Sequence, residues 1–367
     1  MSVSALVFPG YPLTIDVWDK LKAEKRPIMV YGMGNGADKL FDRFSEYGIE
    51  VKEVFASDGF VRGHSYRGYL VKSFSDIKEA YEDFVIVISF ASNKPDVVDM
   101  LREIDAKYET YMPDMPIAEV SEYFDKEFFN NHYEEIRKAY ELLEDEESKK
   151  VYLSVLNFRL SGKLSYLLEA YSSKEELYSL INQKEIKTVI DAGAYNGDTA
   201  KEAVEYFTKL ERLCAIEPDK RNFKKLSRYL DSIDIKTEVI NSAVWSECRA
   251  GSFSSSANRN STLLATASFE HRDDEVSLVT IDSLSLSSVD YIKYDVEGAE
   301  KEALVGSYKT VEDNKPVLLV SLYHKSKDIF SLPLYLNATH KGYKFYMRRL
   351  YCLPAWELDL IMIPDMD

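Results

Sequence analysis

Ile186-Lys-Thr-Val-Ile190, running into Asp191-Ala-Gly193-Ala-Tyr-Asn-Gly197-Asp198-Thr199, is the stretch whose reading decides the fold. The first five residues are a short apolar run, the mark of a buried strand. The glycines allow a tight turn and close approach of a ligand to the backbone. Asp198 or Thr199 can cap the helix expected over Ala200 to Phe207. A dinucleotide site would want Gly-x-Gly-x-x-Gly, to seat a pyrophosphate on the helix N-terminus. Here the loop opens on a carboxylate, Asp191, and spaces its glycines by four. That suits a ligand bearing an ammonium or sulfonium. A turn that merely joins strand to helix would use the same glycines.

Working outward, the alternation repeats. Strands are expected over Leu213–Ile216, Thr237–Ile240, Val289–Tyr294, Pro316–Leu322 and Leu358–Ile363. Polar groups stand at their carboxyl ends, the edge where open α/β sheets bind ligands. Glu217 ends the second strand and can accept both hydroxyls of an adenosine ribose; an exposed glutamate before the Pro218 turn is the alternative. Ser242 follows the third strand and is a candidate for an adenine edge, where a plain Asn-Ser turn would serve as well. Asp295 and Glu297 are two apart, so in extended chain they share a face with Lys293. They are candidates to hold the transferred group, the acceptor or a divalent cation; alternatively Glu297 caps the next helix and pairs with Lys293. Two carboxylates without a third ligand do not make a metal site, and no metal is expected. His324 follows the fifth strand and is a candidate base near neutral pH, with a structural histidine as the equal alternative.

These residues carry a resemblance. Asp191 to Thr199, Glu217-Pro218 and above all Ile292-Lys-Tyr-Asp-Val-Glu-Gly-Ala-Glu300 resemble the FkbM family of S-adenosylmethionine-dependent methyltransferases, over about residues 186–364. The resemblance implies a class I methyltransferase sheet, seven strands, mostly parallel, with the last antiparallel. It implies S-adenosylmethionine as cofactor and methyl transfer to a hydroxyl, often on a sugar or polyketide-like metabolite. It puts Asp191, Gly193 and Gly197, with Asp198 and Thr199, on the cofactor loop, Glu217 at the ribose, and Asp295 and Glu297 on the reaction side. Many members have an acid near the end of strand five, where this chain has Ser321 and then His324. His324 or Asp295 is therefore the candidate base. Tyr343 to Arg349, Tyr351 and Trp356 are candidates to line an acceptor pocket, and Arg259 and Asn260 to overhang it. A core strand with a basic edge explains the first of these equally.

The first half is a second α/β unit. Pro27–Tyr31, Ile49–Ala56 and Asp83–Ser89 read as strands, and Ala37–Tyr47 as a helix. Gly32-Met-Gly34-Asn-Gly36 resembles a Rossmann-like phosphate loop, and Asp58 falls at the ribose position. A nicotinamide-dependent oxidoreductase, or a nucleotide-sugar-binding module, is thus the second reading. The expected organisation is a Rossmann-like domain over 1–118, a helical linker region over 119–182 and a methyltransferase domain over 183–367.

Composition narrows the classes. Of 367 residues, 62 are acidic and 46 basic, so the formal charge is −16. That field repels phosphates and anionic membranes, so neither nucleic acid nor membrane is an expected partner. Cys214, Cys248 and Cys352 have no paired spacing, against a disulfide or zinc scaffold. No apolar run reaches the roughly 18 residues a membrane helix needs, and Met1 to Gly10 does not read as an export signal. The expectation is a cytoplasmic enzyme acting on a small-molecule or glycan acceptor, with a homo-oligomer left open.

Overall fold

The computed structural model describes residues 16–118, 121–182, 185–254, 262–263 and 274–365. Among them the first half builds one parallel sheet: β1 (Ile28–Tyr31), β2 (Glu53–Ala56), β3 (Lys72–Ser73), β4 (Val85–Ile88) and β5 (Glu109–Tyr111), in the order β3-β2-β1-β4-β5. The second half builds a seven-stranded sheet. Its strands are β6 (Thr188–Ala192), β7 (Arg212–Ile216), β8 (Lys236–Ile240), β9 (Tyr291–Tyr294), β10 (Val317–Ser321), β11 (Tyr343–Arg349) and β12 (Leu358–Pro364), ordered β8-β7-β6-β9-β10-β12-β11. Only β12 runs antiparallel to its neighbours. This is the class I methyltransferase arrangement. β1, β4, β6 and β10 are buried along their whole length, as parallel strands covered on both faces must be.

Five helices occupy the described part of 126–181, and two of them position the site. These are α2 (Glu146–Ser161) and α3 (Lys174–Ile181), numbered after α1 (Asn35–Tyr47) of the first half. One apolar cluster runs unbroken from Met29, Ile86 and Ile88 in the first sheet, through Val155 and Phe158 of α2, to Ile292, Leu318 and Met362 in the second. α2 is thus a layer between the sheets. Its cap residue Asp145 accepts from the Ser148 amide and takes the Arg348 guanidinium at 2.6 Å, tying the helix start to β11. Arg348 is therefore a structural residue rather than part of an acceptor pocket.

The sequence reading left out β3 and β5, which are too short to show a period. It read β11 for its aromatic and basic residues, with a core strand as the alternative; the chain forms that strand, flanking β12 and covered by α2. Arg249–Ser254 is a strand of a four-stranded accessory sheet. Among the described residues no helix is long and apolar enough to cross a membrane.

Candidate active site

The loop after β6 is pressed against the end of β9. Gly193 has φ +88°, and a Cβ placed on it would lie 1.8 Å from the Asp295 carbonyl oxygen. Only glycine fits there. The Gly193 and Ala194 amides both donate to Ile216 O at 3.0 Å, fastening the loop to β7. Tyr195 takes φ +45°, a strained value for a side-chain-bearing residue. Gly197 heads α4 (Asp198–Tyr206), also at positive φ.

Beneath this loop are two carboxyls. Asp191 is fully buried, and neither of its side-chain oxygens has a hydrogen-bond partner among the described residues. Burial pushes its pKa up to about 7, against the pull of Lys293. Glu217 is nearly buried, and its oxygens accept from the amides of Tyr195 (2.9 Å) and Asp219 (2.8 Å). Burial raises it to about 8. Each oxygen keeps acceptor capacity beyond the amide it already holds. Ser242 begins a buried strand of the accessory sheet and is not on the wall of the main cavity.

That cavity encloses about 510 Å³ at the carboxyl edge of the second sheet, within the range of small-molecule sites. Gly193, Asp198 and Thr199 line one side, and Asp295, Glu297 and His324 another. The structure therefore brings six of the expected site residues to one space. Asp191, Gly197 and Glu217 are not on its wall: Asp191 is buried behind the loop that carries Gly193, and Glu217 holds that loop by the Tyr195 amide. Tyr351 and Trp356 also line it, together with Asn93 and Ile117 from the first half. Arg349 does not: it is buried and donates to the carbonyls of Leu167, Ala170 and Cys352. Arg259 and Asn260 lie outside the described residues.

Charges in the cavity are paired in a definite way. Lys293 Nζ lies 3.1 Å from Asp295 and donates to Thr199 Oγ1 at 2.8 Å. Tyr323 donates its hydroxyl to Asp295 at 3.2 Å. Burial works against the Asp295 carboxylate, but Lys293 and His324 outweigh it and hold its pKa below the usual range. Glu297 sits at φ +53° and is pushed up by burial. Glu300, not Glu297, secures the turn, accepting from the amides of Val296 (3.1 Å) and Gly298 (3.2 Å).

His324 is almost wholly buried among three carboxylates. Its Nδ1 lies 2.9 Å from Glu300, off the line of a straight hydrogen bond, and its Nε2 lies 3.4 Å from Glu297 and 3.6 Å from Asp295. Burial disfavours the charged ring, yet Glu300 and Glu297 overcome it and raise the pKa well above 6.5. Neighbours that favour the charged ring disfavour the base role for which His324 was a candidate beside Asp295. The expected result is an imidazolium nitrogen pattern at pH 8 in ¹⁵N-histidine spectra; a neutral-tautomer signature for His324 at pH 7 would contradict it. The sign follows from the raised value: the stability His324 contributes is complete below about pH 6.5 and fades as pH climbs through its folded-state value.

Sequence reasoning missed Asp359. It stands on β12 opposite Ser321, whose hydroxyl donates to it at 3.1 Å, and it lines the cavity. Burial lifts it to about 7. Its carboxyl thus stands beside Ser321 at the end of β10. Its one signal was a lone charge inside the apolar run Leu358-Asp-Leu-Ile-Met-Ile363. Among the described residues no group of three or more histidine, cysteine or acidic side chains is arranged to hold a metal ion.

In the first half, the Asp58 carboxylate accepts from the amide and hydroxyl of Ser75. The glycine loop opens onto a pocket of about 140 Å³, below the size of a typical cofactor site.

Residues 191–345 match the family described as the methyltransferase FkbM domain. The stretch 191–345 is thus similar to FkbM methyltransferase domains. Across both halves the fold resembles the crystal structure of methyltransferase FkbM from Methylobacillus flagellatus KT, with a TM-score of 0.72, 19% identity, and 95% of this chain and 94% of that one covered. More distant likenesses include a putative rRNA-methylase from Clostridium thermocellum (TM-score 0.36, 12% identity, 53% of this chain, 95% of that one). An rRNA methylase from Streptococcus thermophilus is similar at TM-score 0.34 and 12% identity, over 53% of this chain and 98% of that one. No curated protein matches the chain. The matched stretch holds all the cavity residues named above except Tyr351, Trp356 and Asp359, which follow it, and Asn93 and Ile117, which precede it.

Proposed function

We propose that this methyltransferase uses S-adenosylmethionine to methylate a hydroxyl on a saccharide or similar polar metabolite. The observation that carries the reading is the unpartnered, buried Asp191 carboxyl beneath a glycine loop that no side chain can fill. A buried carboxyl without a partner is costly, and a cationic ligand group would supply one. The residues present fit the cofactor: Asp191 toward its ammonium, the Gly193 backbone along its chain, Glu217 toward its ribose hydroxyls. When bound, it supplies a methyl group already activated on sulfur.

The chain's own residues then orient the acceptor. Orientation alone accounts for much of the rate in such transfers. The carboxylates of Asp295 and Glu297 can hold acceptor hydroxyls, Tyr351 and Trp356 offer faces to a sugar ring, and His324 fixes both carboxylates by its charge. Asp359 accepts the hydroxyl proton: of the acids on the wall, it has its pKa lifted to about 7, where a base is most effective. Asp295, held ionised by Lys293 and Tyr323, is a positioning group.

The acidic composition supports neither nucleic acid nor membrane as partner. The second reading, a nicotinamide enzyme, loses support because the first-half pocket is small and Asp58 is engaged by Ser75. Binding of radiolabelled S-adenosylmethionine is the test. Affinity should fall at least roughly 100-fold in Glu217→Ala, with circular dichroism unchanged, as expected for losing two hydrogen bonds to the ribose worth about 1.5 kcal/mol each. Undiminished affinity would remove the ribose assignment, and failure of the parent protein to bind would remove the reading.

A further inference from the structure

The small pocket between the halves differs in chemistry from the main cavity it adjoins. Leu40, Ile88, Phe90, Met112, Met115 and Trp356 are on its wall. The Lys39 ammonium, also there, is satisfied by the carbonyls of Pro116 (2.6 Å) and Ile117 (3.1 Å). Ile117 and Trp356 belong to both spaces. Trp356 comes from the turn between β11 and β12, and that turn is fastened to the first half: Leu353 and Ser92 exchange two backbone hydrogen bonds, at 2.7 and 2.9 Å. Trp356 of the second half and Ile117 of the first therefore border a polar and an apolar space at once.

We propose that the acceptor is an amphiphilic hydroxyl compound, such as a glycoside, whose apolar substituent enters this second pocket while its polar part lies in the main cavity. The inference rests on the main cavity being the acceptor site. The substituent has the size of one aromatic ring or a short branched chain, since an apolar cavity of about 150 Å³ accommodates benzene. The first half then serves acceptor selection rather than nucleotide binding. Its glycine loop is where α1 brings Leu40 beside the end of β4.

Toluene is the probe, followed by methyl-¹³C-methionine spectra of the full chain. The expected result is a saturable shift of the Met112 and Met115 methyls. Met115→Trp, at a half-buried position, should fill the pocket and abolish the shift at Met112. Phenyl hexopyranosides should displace toluene at least about tenfold more effectively than methyl hexopyranosides, the difference an apolar ring of that area makes. No saturable shift with toluene, or no displacement by any phenyl glycoside, overturns the proposal. S-adenosylmethionine binding is measured separately by calorimetry. If toluene binds and the cofactor does not, it is the methyltransferase reading that fails, and the acceptor assignment with it.

Discussion

Gly193→Ala is expected to abolish cofactor binding and to weaken the fold by about 2–6 kcal/mol. About 1–3 kcal/mol of this is the cost of holding a non-glycine residue at φ +88°. About the same again comes from forcing a methyl into filled space. The added carbon would lie 1.8 Å from the Asp295 carbonyl; the carbonyl is backbone and a Cβ is fixed rigidly to its own Cα, so neither can swing aside. Either the loop lifts off Ile216, or the end of β9 moves and takes Asp295 and Glu297 with it. Denaturant unfolding and calorimetric titration with S-adenosylmethionine read the two effects separately. A variant with parental stability and affinity would show that the loop does not depend on this contact.

Asp191→Asn should separate stability from function. In the folded protein burial raises Asp191 to about 7, whereas its ordinary value is 3.8. The folded value is the higher one, so its stabilising contribution is complete below about pH 4 and is lost as pH rises through 7. The full swing is up to about 4 kcal/mol at 1.36 kcal/mol per unit. Lys293 is close enough to oppose this but does not overcome burial. The asparagine cannot ionise, so the variant should lose less stability than the parent between pH 4.5 and pH 8. At pH 8 it should be the more stable of the two. Its affinity for S-adenosylmethionine should nevertheless drop at least roughly 100-fold, because the carboxylate that answers the ammonium is gone. In the parent, cofactor affinity should rise with pH through 7 as Asp191 gives up its proton. Parallel stability curves for the two proteins, or unaltered affinity in the variant, would refute this account of Asp191.

Several residues of the candidate site were legible because their chemistry and their local geometry coincide. Asp191, Gly193 and Gly197 stand in one loop, and Asp295 and Glu297 at one strand end. A strand followed by glycine-broken chain places such groups on the carboxyl edge whatever the rest of the molecule does. Glu217 was legible for the same reason, at the end of β7. Asp359 was not, because it reaches the cavity only through its register with Ser321 across an antiparallel pair 38 residues apart in sequence. The charge state of His324 was equally hidden. A histidine after a strand reads as a base; Glu297, Glu300 and Asp295 around its ring turn it into a cation. Arg348 was a candidate either for an acceptor pocket or for the basic edge of a core strand, and Asp145 at the cap of a distant helix holds it in the second role.

The order of apolar runs and glycine turns along this chain determined two α/β units and the edge of each that faces a ligand. Those properties follow from strand period and backbone freedom, which act over a few residues at a time. Which acids are charged, which arginines are structural, and that Trp356 borders two spaces at once were decided by tertiary structure alone. Proton affinity and cavity shape depend on what distant segments pack against a group, and burial and neighbouring charge are not properties of any stretch of sequence taken by itself.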